Sequence, residues 1–542
     1  MTKSQTHSGR SESFDIVVIG GGHNGLTCAA YLARAGLRVK VVERRAVVGG
    51  AAVTEEFHPG FRNSVCSYVV SLLHPSVIAD LELARHGLTI VDRPSGYLCL
   101  LPGGDGLQIS RDIAAAKRAI ARFSPRDAIA YERFDDELQR IGLAVRAVMT
   151  EAPPNFGGGL ADLWRALKLG NRLRHLPADL QATLAELMTA SIGDYVSARF
   201  ESEALRGAMG FEGVIGNFAS PFQAGSAYVL LHHMFGEING QPGAWGHAIG
   251  GMGAISDAMA RSAAAAGASI ETQAAVREVI VEKDRAAGVV LEDGRAIRAR
   301  VVASGVNPRL LFLRLMDPAV LPEDFRRRIE HWRCRSGTFR MNVALSELPR
   351  LRCLDGSDDE AHLKGSINIS PSLTYLEQAY DDARAHGWSR RPVVSMNIPT
   401  ILDDTLAPPG RHIASLFCQH FDFALPDGQN WDTVKDRVAD LIIDTVNEHA
   451  PNFKNAIVGR QVLSPLDLER EFGLIGGDIF HGALNLDQIF SLRPAAGHAD
   501  YRMPLAGLYL CGSGAHPGGG VTGLPGRNAA QAILADLKRK RV

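Results

Sequence analysis

Short unbroken apolar runs stand at the two ends of this chain, and helical spacing fills much of its middle. The run Asp15-Ile-Val-Val-Ile-Gly20 is apolar and β-branched, as a strand buried on both faces of a parallel sheet requires. Gly20-Gly-Gly-His-Asn-Gly25 follows at once. Leu26 to Ala35 reads as a helix whose small Ala29, Ala30 and Ala33 can lie close to a sheet, and Gly36 ends it. Arg38 to Glu43 is a second strand, so 15–43 predicts a βαβ unit. From Asp112 to Ala219 the spacing becomes helical, notably at 128–148 and 180–188, with breaks at Pro153, Pro154 and Gly157 to Gly159. Gly250-Gly-Met-Gly253 leads into an alanine-rich helix, 254–266. Three β-rich runs, 275–282, 287–291 and 296–303, predict a meander with Asp293-Gly294 at one hairpin turn. Val301 to Gly305 returns to the buried-strand style. Residues 310–465 mix strands at 339–345, 393–398 and 412–418 with a helix at 431–449. A last strand, 507–511, runs into Gly512 to Gly520, and a helix over 527–538 closes the chain.

This alternation predicts an α/β fold with a Rossmann-like dinucleotide-binding domain and an inserted α+β substrate domain. The nucleotide domain is expected from three pieces, 14–110, 235–308 and 465–542, and the substrate domain from 111–234 and 309–464. Residues 1–13 are expected to form a mobile tail.

Composition narrows the class. An apolar fraction of 46% and a charged fraction of 22% exclude a mostly disordered chain. A formal net charge of -1 gives no pull on nucleic acid. The 56 glycines in 542 residues exceed the usual ~7% and point to close backbone approaches. The seven cysteines are scattered, with no Cys-x-x-Cys and no zinc spacing, so buried thiols in a reducing compartment are expected and no metal site. The polar N-terminus has no secretory h-region, and no apolar run reaches the ~18 residues of a membrane span.

The glycines carry the chemistry. Gly20-x-Gly22-x-x-Gly25 lies between a strand and a helix, the context that gives the pattern meaning. Gly20 permits the turn, Gly22 lets backbone approach a pyrophosphate, and Gly25 lets helix and strand pack closely. The helix N-terminus then faces the phosphates. Glu43 ends the second strand, placed to accept from a ribose diol and to repel a 2′-phosphate. Two features favour FAD over NAD: Arg44-Arg-Ala-Val-Val-Gly49-Gly50 directly after Glu43, and the second glycine-rich strand–turn–helix at Gly512 to Gly526. If that C-terminal segment folds onto the first unit, its helix end can stabilise an anionic reduced flavin.

Asp15 to Ala51 resembles the N-terminal FAD signature of the two-dinucleotide-binding-domain flavoproteins. The stretch Leu508 to Asn528 resembles the carotenoid desaturase and ketolase branch, with Ser513 and Ala515 where that branch usually has Ala and Thr. Gly225-Ser-Ala-Tyr-Val-Leu-Leu-His-His233, Gly243-Ala-Trp-Gly246 with Gly250 to Ala254, Gly476-Gly-Asp-Ile-Phe-His481 and Leu486-Asp-Gln488 are similar to its phytoene-dehydrogenase-related members. The resemblance runs from Phe14 onward. It implies that Gly20, Gly22, Glu43, Arg44, Gly50 and Ala51 touch the ADP half of FAD, that Val276 meets the adenine through its backbone, and that Gly512, Val521 and Thr522 lie near the flavin. It also implies a cytoplasmic location in a bacterium, or a mitochondrial matrix one.

The function expected is FAD-dependent oxidation of an apolar small molecule, with hydride passing to the flavin and oxygen, a quinone or another acceptor restoring it. A carotenoid desaturase or ketolase is one alternative, requiring a long dry tunnel. A FAD-stabilised interaction or regulatory protein with little turnover is another, requiring no substrate cavity. No catalytic residue is assigned. His232-His233 reads as core or pocket wall, not a zinc pair. His516 reads as a backbone partner in a turn, and His481 is equally placed for that or for proton transfer. Cys511 reads as a small strand residue rather than a covalent flavin link. Leu160 to Leu176, with Leu163, Trp164 and Leu167 beside Arg165, Lys168, Arg172 and Arg174, reads first as a helix packing one face on the core. Peripheral contact with an anionic membrane is its alternative. Lys538 to Arg541 reads as a solvated end.

Overall fold

The computed structural model describes residues 12–354 and 360–542. Most of the expected tail lies outside them, but Ser13 already belongs to the strand Glu12–Ile19. That strand sits at the centre of a seven-stranded sheet, flanked in parallel by Val39–Val42 and by Ala296–Ser304. Every residue of Val39–Val42 is buried, the charged Lys40 included, whose ammonium pairs with Glu271 at 2.6 Å. Ala296–Ser304 forks. Its first half pairs antiparallel with the meander strand Arg285–Leu291, and its second half pairs parallel with Leu508–Leu510. The two characters read along 296–305 are therefore two halves of one strand. The fork brings the C-terminal glycine segment beside the N-terminal one.

The helix His23–Arg34 packs against Gly253–Ala265 and Leu524–Lys538. Small residues allow it: Ala29 and Ala30 are fully buried, and a Cβ on Gly526 would stand 2.1 Å from the Asn24 carbonyl oxygen.

The second sheet runs Ile457–Leu463, Thr338–Leu345, His412–Phe421, Trp388–Asn397, Ser366–Ile369, Tyr97–Leu100 and Gly106–Ile109. Its last two strands come from the piece expected in the nucleotide domain, so the boundary at 110 is corrected: Ser366 pairs in parallel with Tyr97, which commits 97–109 to this sheet. The boundary at 308 also moves. The Val279 N–H donates to the Leu315 carbonyl, and Phe325 packs on Phe312 and His498, which keeps 309–330 on the first sheet's side.

The region 113–233 is helical as expected, from Ile113–Ala121 to Ala227–His233. Its helix Leu160–Leu173 departs from the first expectation: no residue of it is buried. Leu160, Leu163, Trp164 and Leu167 are 57–86% exposed, so the apolar stripe faces outward. Lys538 to Arg541 are exposed. Among the described residues, no helix is long and apolar enough to cross a membrane.

Candidate active site

A cleft of about 490 Å³ opens where the two glycine segments meet. At one end stand Gly20, Gly22, Gly25, Glu43, Arg44, Gly50, Ala51 and Val276. At the other stand His232, His233, His481, Ser513, Gly520 and Val521. The first group is held by its own turn. The Gly20 N–H donates to Val42 O at 2.9 Å, and Gly20 has φ +92°. A Cβ on Gly25 would lie 2.1 Å from the Gly20 carbonyl oxygen, whereas one on Gly22 would meet nothing closer than 3.9 Å. Gly22 caps the helix without a side-chain bond, leaving the first N–H groups open to an anion. The Glu43 carboxylate accepts from Gly21 N at 2.8 Å and Arg45 N at 2.9 Å, so it braces the loop as well as facing the cleft. Arg44 stands at the mouth, its guanidinium donating to the Arg470 and Glu471 carbonyls.

Two of the sequence-assigned residues stand behind the wall. A Cβ on Gly512 would be 2.2 Å from Gly305 O, so this glycine joins the last strand's turn to the end of Ala296–Ser304. Thr522 is 1% exposed; its hydroxyl accepts from Leu524 N at 3.0 Å and its carbonyl from His74 N. Neither lines the cleft. Both shape the loop that presents Val521.

Val521 (φ +58°) and His481 (φ +59°) adopt left-handed backbone on that loop and its neighbour. A β-branched residue there is strained, and such strain gathers at functional sites. Arg493 fixes the arrangement. Wholly buried, it donates to the carbonyls of Phe480, Gly482, Gln488 and Ser513, tying the His481 turn to the C-terminal loop. Sequence reading missed it, because nothing in Ser491-Leu-Arg-Pro494 signals a hub.

Several buried polar atoms on the cleft wall have no hydrogen-bond partner: His23 Nε2, Asn24 Oδ1 and His481 Nδ1. Buried polar groups are normally satisfied, so these ask for a ligand. Burial pushes the His23 ring down to about 4. Burial, with Arg493 and His23 adding to it, pushes His481 down to about 3. Both rings are neutral at pH 7 and offer neutral hydrogen bonds. The cleft therefore fits FAD: a glycine turn for the pyrophosphate, a carboxylate for the ribose, and a strained loop with unsatisfied imidazoles for the ring system.

The other candidates separate cleanly. His516 Nε2 lies 3.3 Å from Val148 O, off the cleft. Cys511 is fully buried and off the cleft, beside Cys28, whose thiol its neighbour and burial push well up. His232 and His233 are pocket wall. Burial, with His233 and Arg493 contributing, pushes His232 down to about 3.

A second cavity of about 430 Å³ adjoins the cleft: Tyr68, Ile215, His233 and Trp245 line both. Its floor is one face of the second sheet, and its roof comes from the helices Pro125–Met149, Glu203–Glu212 and Ala227–His233. Across the ladder Asn368 faces Ser395 and Ser395 faces Phe417, so this face runs to the cleft, where Phe417 stacks on Tyr68 at 5.5 Å. His233 and Glu212 end their helices with Nδ1 and Oε2 3.3 Å apart.

Fold and cleft define the class as an α/β flavoprotein, and comparison with known proteins agrees. A family model for flavin containing amine oxidoreductases matches residues 25–339, and the chain belongs to that family as an FAD-dependent oxidoreductase. Its particular relatives are the proteins called pyridine nucleotide-disulfide oxidoreductase domain-containing protein 2. It is 44% identical to that of Rattus norvegicus, over 97% of this chain and 94% of the rat protein. It is 25% identical to a phytoene desaturase (lycopene-forming) of a Paracoccus species, over 96% and 97% of the two chains. A triple mutant of putrescine oxidase, redesigned in cofactor binding, shares the fold at TM-score 0.63 and 17% identity, over 98% of this chain and 100% of that one. The disulfide in the relatives' name finds no echo here: the cysteines form no disulfide among the described residues, and the sequence has no Cys-x-x-Cys.

Proposed function

We propose that this chain oxidises a small, largely apolar molecule held in the second cavity, by hydride transfer at the passage into the cleft. The observation that carries this is the adjoining pair of cavities. A cleft suited to FAD shares four wall residues with a separate chamber of a size that takes drug-sized ligands, about 300–1,000 Å³. When bound, FAD supplies the two-electron acceptor. Gly20, Gly22 and Glu43 hold its nucleotide end, and Val521, Gly520 and His481 wall its reactive end. Tyr68, Ile215 and Trp245 keep the passage dry and orient the substrate. His233 faces the passage, with Glu212 Oε2 3.3 Å from its Nδ1, and the ring can take a substrate proton.

A carotenoid as substrate needs a long apolar tunnel. This chamber instead carries Arg93, Glu212, Asn368 and the hydroxyls of Tyr68 and Tyr97, which favours a shorter molecule with a polar end. A purely regulatory flavoprotein needs no chamber at all. Anaerobic spectrophotometry of the FAD-loaded protein tests the size reading. Small apolar compounds are expected to bleach the oxidised flavin bands while detergent-dispersed carotene leaves them unchanged; bleaching by carotene alone would reverse the choice.

The outward stripe of Leu160, Leu163, Trp164 and Leu167, edged by Lys168 and Arg172, supports a proposed peripheral contact with an anionic membrane. Flotation with phosphatidylserine vesicles is expected for the native protein and is expected to be lost in a Leu163→Glu/Trp164→Glu variant. Equal flotation of the two would rule the contact out.

A further inference from the structure

We propose that the second cavity is built for a carboxylic acid, with Arg93 receiving the carboxylate and the apolar body lying against Ile113, Phe134 and Leu138. This names the substrate class of the oxidation proposed above and rests on that reading.

Arg93 follows the strand Ile90–Asp92 and is 3% exposed. Its backbone N–H donates to Trp245 O at 3.0 Å, which sets it beside the passage. Only Nη2 is engaged by the protein, donating to Gly365 O at 2.8 Å and Asn397 Oδ1 at 2.6 Å. Among the described residues no hydrogen bond is made by Nε or Nη1, and no carboxylate lies within ion-pair distance. Burial lowers the guanidinium to about 10, so it remains a cation at neutral pH. A buried charge without a counter-ion is costly, and protein interiors pair such charges. Here the open side of the guanidinium faces a cavity.

The surroundings continue the pattern. Asn368 pairs across the ladder with Ser395, and Ser366 with Tyr97, so polar side chains line up on one sheet face. Asn368 is 2% exposed, lies on the cavity wall, and its Oδ1 has no partner. A buried sheet face this polar is wasteful unless a polar ligand covers it. Both hydrogens of Nη2 are taken by the protein, so a carboxylate would take the single charge-assisted bonds that Nε and Nη1 still offer. Of the two acids on this cavity, Asp135 accepts from Gln139 at 2.6 Å and Glu212 Oε2 lies 3.3 Å from His233 Nδ1, and neither stands within ion-pair distance of Arg93. Because Arg93 neighbours Trp245 at the passage, the carbons nearest the carboxylate are those presented to the cleft.

Binding to the FAD-loaded protein at pH 7, followed by calorimetry and by perturbation of the flavin bands, tests this with decanoate, methyl decanoate and decylamine. Decanoate is expected to bind about ten- to a hundredfold tighter than its ester, the usual range for a charge-assisted bond. Arg93→Gln is expected to remove that advantage and leave ester affinity unchanged. Asn368→Asp, which puts a negative charge on the same wall, is expected to weaken decanoate alone. FAD content reports that each variant folds, and Asn368→Asp decides if Arg93→Gln does not. Equal affinity for acid and ester, tighter decylamine, no binding of any probe, or an acid preference that survives both substitutions would overturn the proposal. None of these readouts needs turnover. An acid preference without flavin bleaching by any compound would sink the oxidation and keep the acid site; bleaching without an acid preference would do the reverse.

Discussion

Gly25→Ala is expected to yield a chain that binds no FAD and folds poorly, while Gly22→Ala is expected to fold normally and still bind no FAD. The contrast follows from what each added methyl meets. At Gly25 it would stand 2.1 Å from the Gly20 carbonyl oxygen, a backbone atom that cannot swing away. Relief requires the helix His23–Arg34 to lift off the central strand, and that helix is packed by two others. Overpacking of this kind costs about 1–3 kcal/mol even where side chains can adjust, and here none can. At Gly22 the nearest protein atom would be 3.9 Å away and φ is -70°, so alanine fits the protein itself. It fails only because a pyrophosphate must approach that backbone. Far-ultraviolet circular dichroism and acid-released FAD per chain measure the two effects separately. A Gly22→Ala protein with full FAD would contradict the assignment of the cleft.

His233→Ala is expected to slow anaerobic flavin reduction by about a hundred- to ten-thousandfold, the range for losing a positioned base, with FAD content unchanged. The imidazole lines both cavities, and its Nδ1 lies 3.3 Å from Glu212 Oε2. Glu212→Gln is expected to cost less, because it removes a neighbouring charge and leaves the ring in place. An unchanged reduction rate in His233→Ala would assign the ring to the wall alone. His232 is a poorer candidate for the proton-accepting role, because burial holds it neutral down to about 3, with like charge from its neighbours adding to the penalty.

Local signals in the sequence carried much of this far. The βαβ unit is legible because a fully buried strand has an unbroken apolar run and because Gly20, Gly22 and Gly25 each meet a separate steric demand. The meander is legible from Asp293-Gly294, and the helix Trp431–His449 from its spacing. What stayed hidden is non-local. The strand Tyr97–Leu100 looks the same whichever sheet it joins, and only pairing with Ser366–Ile369 decides. Arg93, Glu212 and Tyr68 lie on unrelated segments, so their convergence on one cavity leaves no spacing to read. Gly512 was legible as a close-approach glycine, but the thing it approaches is Gly305 rather than the cleft. The stripe at Leu160 to Leu167 has the periodicity of a core-facing helix, and periodicity does not say whether the core is there.

The most direct test of the adjoining cavities as an oxidising site is a single-turnover measurement without oxygen, comparing the amount of flavin bleached with the product formed from one bleaching compound. One dehydrogenated product molecule per FAD reduced is expected, with Ile215→Trp, which plugs the passage between the cavities, keeping its FAD and losing the bleaching. A fully FAD-loaded protein whose flavin stays oxidised against every small compound, or one that bleaches as readily with the passage plugged, would contradict that assignment.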